Sequence, residues 1–331
     1  MKKFIKTIPN FLLLLLLTQN ILAKEITYSV DDGKFLSGSS VYLEPTQKLT
    51  LQFDIQNAKK IKWYQIIPDI SKFYKNSNYP WEENSYKWVG YGKIDYKRVE
   101  IKSFRNSKKV ILTREILEAN RLDGNYLYNS KLGSFWFEAE ATLKSGKVVK
   151  SKGIRNIEKK GLSPKVFRVS YMLDKTYIGY LTTFFNVPGI FGSMPYQSRN
   201  YIGVDCADVL VATTKIMNHE KNTKNYDVSM LVDKFNIKVK LSIDNGKPDK
   251  LLQWGIDFNK GDFIAVNSSP DSKYYHIGML YGDENNNGIL DEEDTVINAG
   301  PEALHIDTLV DSAFKGSVAI LENKDVSMGI L

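Results

Sequence analysis

The sequence predicts two domains, an N-terminal all-β sandwich of Ig-like type followed by an α+β domain. At 331 residues the chain exceeds one typical domain of about 100–200 residues. Strand periodicity marks the first half: Leu49, Leu51, Phe53 and Ile55 share one face of an alternating run, as do Phe135, Phe137, Ala139, Ala141 and Leu143. In the second half, Cys206, Val209, Leu210, Thr213 and Met217 recur at helical spacing, and strand-like runs follow at 261–266, from His276, and at 296–301. Charge divides in the same place. Residues 24–165 hold 27 Lys and Arg against 16 Asp and Glu, a net +11, and residues 166–331 hold 15 against 22, a net −7.

Residues 1–23 read as a secretory signal. Lys2, Lys3 and Lys6 precede an apolar stretch at 11–17, and Ile21-Leu22-Ala23 places a small residue where a signal peptidase cuts. Thr18-Gln19-Asn20 interrupts the apolar run and leaves it short of the roughly 20 residues that span a bilayer. No integral membrane segment is therefore expected once the signal is removed, and the expected compartment is the periplasm or the exterior. Exported proteins usually pair their thiols, so the lone Cys206 calls for an explanation.

Residues 24–160 form the expected sandwich, with a short helix candidate near 112–119 and no internal repeat. The aromatic-rich stretch 73–96, with Tyr79, Trp81, Trp88 and Tyr91, reads either as a β core with its long loop or as a platform for sugar rings. The polar, Gly- and Pro-containing stretch 151–165 marks the boundary. The basic half suits anionic envelope polymers or docking on the acidic half; nucleic acid is a poor partner for an exported chain.

Residues 161–331 carry the expected chemistry. Asp205 suits the N-cap of the helix that Cys206 opens, and Asp208 falls three residues later. The helix dipole favours a thiolate there, while the two aspartates oppose it, so an imidazole partner is required. His276 and His305 are candidates; His219 sits in a polar helix tail. Neither the three histidines nor the one cysteine shows zinc-ligand spacing.

In order along the chain stand Pro195-Tyr196, Asp205-Cys206, Gly261-Asp262, His276-Ile277-Gly278 and Asn298. This pattern resembles the NlpC-type, papain-like cysteine peptidases of bacterial cell walls, over roughly residues 190–310. The resemblance implies an α+β papain-like domain with Cys206 as nucleophile, His276 as general base and acid, and Asn298 orienting the imidazole, with His305 as the alternative third residue. It also implies oxyanion stabilisation by the Cys206 backbone N–H with the Tyr196 hydroxyl, and a turn-shaping role for Asp205. Ala207-Asp208 stands where the family has Ser-Gly, and the loop after Tyr196 is shortened.

Between the His276 and Asn298 strands, residues 283–294 read DENNNGILDEED. Asp283, Asn285, Asn287, Asp291 and Asp294 occupy positions 1, 3, 5, 9 and 12 of an EF-hand-type calcium loop, with Gly288 at 6 and the Ile289 carbonyl at 7. Asn at positions 3 and 5 and Asp at 12 weaken the site relative to the full motif. A bound ion would rigidify the hairpin and set the register of His276 against Asn298.

The sequence thus points to an exported cysteine hydrolase of amide bonds, with peptidoglycan stem peptides as the substrate the resemblance implies. Two rivals stand beside it, a papain-like acyltransferase or lipid esterase and a non-catalytic, calcium-stabilised envelope-binding protein.

Overall fold

Alternation in the first half becomes two facing sheets. The computed structural model describes residues 23–72, 74–76, 94–153, 162–221, 224–270 and 272–323; nearly all of the expected signal, and Tyr79, Trp81, Trp88 and Tyr91, lie outside them. A four-stranded antiparallel sheet runs in the order Leu36–Ser37, Thr27–Val30, Leu49–Gln52, Lys109–Leu112. The second sheet runs Ser40–Leu43, Phe167–Tyr171, Gly133–Leu143, Ala58–Pro68, Tyr96–Glu100, with Val148–Lys150 also paired to Gly133–Leu143. Leu49, Leu51, Phe53, Trp63, Phe135, Phe137 and Val169 fill the space between the sheets. The short helix Arg114–Ala119 closes one end with buried Leu117.

Phe167–Tyr171 follows the polar stretch at 151–165 but belongs to this sheet, parallel to Ser40–Leu43 and antiparallel to Gly133–Leu143. The Gly133–Leu143 strand is buried on both faces at its start. Phe135 and Phe137 point into the sandwich, whereas Trp136 packs with Leu162, Phe184, Phe185 and Tyr201 of the second half.

The second half is built on a seven-stranded antiparallel sheet in the order Lys247–Pro248, Ile237–Asp244, Gly316–Leu321, Phe263–Asn267, Tyr274–Gly282, Thr295–Asn298, His305–Thr308. Phe263, Ala265, Ile277, Met279, Ile297, Ala319 and Leu321 face the helix Cys206–Met217. Ile264, Val266, Leu280, Val296, Val318 and Ile320 face the opposite way, onto Phe258, Leu290 and Phe314.

The expected fold class, an Ig-like sandwich followed by an α+β papain-like domain, is not what the chain forms. It is mostly β, 38% strand and 14% helix, with a half-barrel sheet and few helices. Tyr177–Thr182, Pro195–Arg199 and Val228–Val232 are helices of 6, 5 and 5 residues, and among the described residues only Cys206–Met217 reaches 12. The physical reason lies in burial. Strands covered on both faces read as continuous apolar runs, and such runs do not reveal how many strands join one sheet. Among the described residues, no helix is long and apolar enough to cross a membrane.

Candidate active site

The helix Cys206–Met217 begins where the sequence places it, and its start is fixed by side chains. Asp205 adopts an extended backbone and its carboxylate accepts the Asp208 N–H at 2.9 Å. Ser193 holds the same carboxylate through its backbone N–H at 3.1 Å and receives the Asp205 N–H on its hydroxyl at 3.0 Å. The Ser193 hydroxyl also donates to Asp208 at 2.9 Å. Burial pushes the Asp205 carboxyl up to about 6, against the N–H groups of Asp208, Ser193 and Ala207 that stabilise its anion. Asp208 is 1% exposed, its Oδ1 has no partner, and burial followed by the charge of Asp205 pushes it well above the carboxylate range.

The raised Asp208 pKa means that the folded chain holds this proton to higher pH than the unfolded chain does. Its contribution to stability is full below the unfolded value and is lost as pH rises through its raised folded value. Asp208→Asn should remove this loss and so raise the melting temperature at pH 8 relative to the parent. Melting temperatures measured from pH 4 to 8 should show the two proteins converging at the acid end. A gap independent of pH would mean that Asp208 folds ionised.

Cys206 is half-buried at the first turn. Burial, followed by the charge of Asp205, pushes its thiol up, although the backbone N–H groups of Ile277, Ala207 and Cys206 itself favour the anion. The contact with Ile277 sets the sulfur against the sheet one residue from His276, whose side chain, by strand alternation, leaves from the face away from the helix.

His276 lies on the strand Tyr274–Gly282, and its Nε2 donates to Asn298 Oδ1 at 3.0 Å. That bond leaves Nδ1 with the lone pair in the neutral ring. Burial lowers the His276 pKa, with partial compensation from Asn298. The strands place Gly278 opposite Asn298. A Cβ at Gly278 would come within 2.8 Å of Phe314 Cζ and 2.9 Å of Asn298 Cβ, so the glycine of His-x-Gly admits both groups beside the imidazole. The Phe314 ring completes the wall, 5.1 Å from the His276 ring. Among the described residues, the Cys206 thiol and the imidazole make no direct hydrogen bond.

Asn298 in turn donates to Asp307 at 3.3 Å, and Asp307 pairs with His305 at 2.8 Å. Burial opposes protonation of His305, but Asp307 and the Ala303 carbonyl, 2.7 Å from Nδ1, outweigh it and raise its pKa. The third-residue candidates are thus separated: Asn298 touches His276, and His305 lies beyond Asp307. His219 is exposed just past the end of the Cys206 helix. Tyr196 lies in the short helix Pro195–Arg199, 40% exposed, with the Arg199 guanidinium 5.8 Å from its ring. Asp307, Ser193 and Phe314 were not anticipated. Alternation along His305–Thr308 places His305 and Asp307 on one face and was the available signal for the first.

The acidic loop 283–294 closes the hairpin between the strands of His276 and Asn298. Asp283 accepts the Gly288 N–H at 2.8 Å, Asn285 the Asn287 N–H at 3.1 Å and Asn287 the Ile289 N–H at 2.7 Å, while Gly288 takes a φ of +75°. Among the described residues, no group of three His, Cys, Asp or Glu side chains is gathered as a chelate; the loop's oxygens come from carboxylates, amides and a carbonyl together. Comparison with family models, curated proteins and solved structures finds no match to the chain, and none identifies a papain-like family.

Proposed function

We propose that the protein is an exported thiol hydrolase of amide bonds, with Cys206 as nucleophile, His276 as base and acid, and Asn298 as the residue that orients the imidazole. The observation that supports this reading is the His276–Asn298 hydrogen bond on the strand whose Ile277 N–H meets the Cys206 thiol. Ile277 faces the helix while His276 lies beside Phe314 on the other face, so the reading requires the imidazole and the sulfur to meet round the strand. Burial favours the protonated thiol and the neutral imidazole, so in this reading attack begins only when a local rearrangement brings the sulfur to Nδ1. The sulfur adds to the carbonyl as its proton passes to Nδ1, and Asn298 holds the other ring nitrogen. The oxyanion is stabilised by the Cys206 backbone N–H at the start of the helix. The imidazolium then gives its proton to the leaving amine, and water releases the acyl group from sulfur.

Peptidoglycan stem peptides are the proposed substrate, on the order of motifs along the chain and the net +11 of residues 24–165, which suits an anionic polymer. Purified sacculi incubated with the full chain should yield new amino groups. Cys206→Ala should abolish that release, and His276→Ala should lower it by about 10²–10⁴-fold. Release by Cys206→Ala equal to that of the parent would refute the assignment.

One observation favours a second reading, a non-catalytic envelope-binding protein. The thiol's affinity for its proton is raised by burial and then by the neighbouring Asp205 carboxylate. In that case sacculi would bind without release of amino groups, and Cys206→Ala would bind equally.

A further inference from the structure

Hydrolysis makes no use of the loop 283–294, yet that loop contains a buried group with an unmet need. Asp294 is 0% exposed. Its Oδ2 accepts the Asp291 N–H at 3.0 Å and the Trp254 indole N–H at 2.9 Å, but Oδ1 is buried with no partner. An anionic oxygen withdrawn from water without a donor is costly, and here the charges of Asp291 and Asp283 also act on it. Among the described residues no cationic side chain bonds to it, and a cation held in the loop would supply the partner that Oδ1 lacks.

The neighbouring backbone supplies another ligand. Trp254 N–H donates to the Gly288 carbonyl at 3.0 Å, and Leu290 N–H donates to the Leu252 carbonyl at 2.9 Å. These bonds pair Ile289 with Gln253 and, by the alternation of a strand, turn the Ile289 carbonyl away from the 252–254 segment. The Ile289 N–H, which faces the same way, bonds to the loop side chain of Asn287, so the carbonyl points into the loop. The carboxylate, amide and carbonyl oxygens there are hard donors that suit an ion taking 6–8 oxygens at about 2.3–2.6 Å. The Asn285 and Asn287 amide nitrogens now donate to Asp291 at 2.9 and 2.6 Å, bonds that ion binding would replace.

We propose that Asp283, Asn285, Asn287, the Ile289 carbonyl, Asp291 and Asp294 bind one calcium ion, and that Trp254 reports its presence through the shared Asp294 carboxylate. The site stands apart from the hydrolase assignment, and its test uses no substrate. Magnesium is a poor occupant, because it demands near-ideal octahedral geometry and gives up water reluctantly.

The full chain, stripped with chelator, is titrated with calcium chloride by calorimetry and with terbium chloride under excitation of tryptophan. The expected result is one saturable calcium site, a melting temperature raised by several degrees at millimolar calcium, and sensitised terbium emission displaced by calcium. Asp283→Ala should lose both responses. Asp294→Asn should also lose the calcium response while melting at or above the temperature of the calcium-free parent, which separates loss of the site from misfolding. Trp254→Phe should keep the calcium heat and lose most of the terbium emission. Absence of heat and of a melting shift in the parent, or an undiminished calcium response in Asp283→Ala, would overturn the site. Undiminished terbium emission from Trp254→Phe would overturn the reporter role.

Discussion

Alkylation of Cys206 is expected to accelerate about tenfold per pH unit between pH 6 and 9, without a plateau, because the thiolate is the reacting species and its fraction rises tenfold per unit below the thiol pKa. Burial and the Asp205 carboxylate hold that pKa up, and burial holds His276 neutral, so no preformed thiolate–imidazolium pair supplies thiolate at neutral pH. Two variants sharpen the expectation. His276→Ala should leave the slope intact, since there is no ion pair to lose. Asp205→Asn retains a good helix cap while removing the charge beside the sulfur, and should speed alkylation at pH 7. The measurement is the rate of iodoacetamide adduct formation by mass spectrometry. A plateau below pH 7 that disappears in His276→Ala would show the resting pair to be ionic and the neutral description wrong.

Phe314→Ala is expected to destabilise the protein by about 3–5 kcal/mol and to disturb the imidazole at the same time. Phe314 is fully buried, packs with Leu280, Val296 and Val318, and occupies the space over Gly278 that no other residue at that position would leave open. Its removal leaves a cavity beside His276. Water entering there reduces the desolvation that lowers the His276 pKa, so the titration of that ring should move toward the ordinary histidine value. Denaturant unfolding gives the first quantity and NMR titration of the ring gives the second. Phe314→Leu should retain most of the stability. A loss under about 0.5 kcal/mol, the scale of surface substitutions, would mean that the ring does not support the wall.

Much of this arrangement was legible because it is local. Asp205, Asp208 and the apolar spacing after Cys206 announce a helix start within a few residues, and the alternation of Leu49, Leu51 and Phe53 announces a strand. The loop 283–294 is legible for the same reason, since its oxygens and its glycine lie within one turn of chain. What could not be read depends on partners distant in sequence. Ser193 joins the helix cap from 12 residues away, and Phe314 reaches His276 from another loop. The sheet was misjudged for a related reason. Phe263–Asn267 is buried at all five positions, so its pattern carries no trace of which face meets a helix and which meets Phe258 or Phe314. The order Cys206, His276, Asn298 reflects a linear pattern that a predominantly β half-barrel also accommodates.

The strand Gly133–Leu143 is a party wall between two interiors. Phe135 and Phe137 belong to one and Trp136 to the other, so neither interior can be opened without stripping apolar cover from the strand they share. Such a wall makes the two halves thermodynamically dependent. Loss of Phe184, Phe185 and Tyr201 from its outer side would leave Trp136 in water and weaken the sheet that carries it. The polar stretch at 151–165 looks like a place to divide the protein, but the cooperative unit runs across it. The basic half and the half bearing Cys206 are therefore expected to melt in a single calorimetric transition, and two separate transitions would show that the shared strand does not couple them.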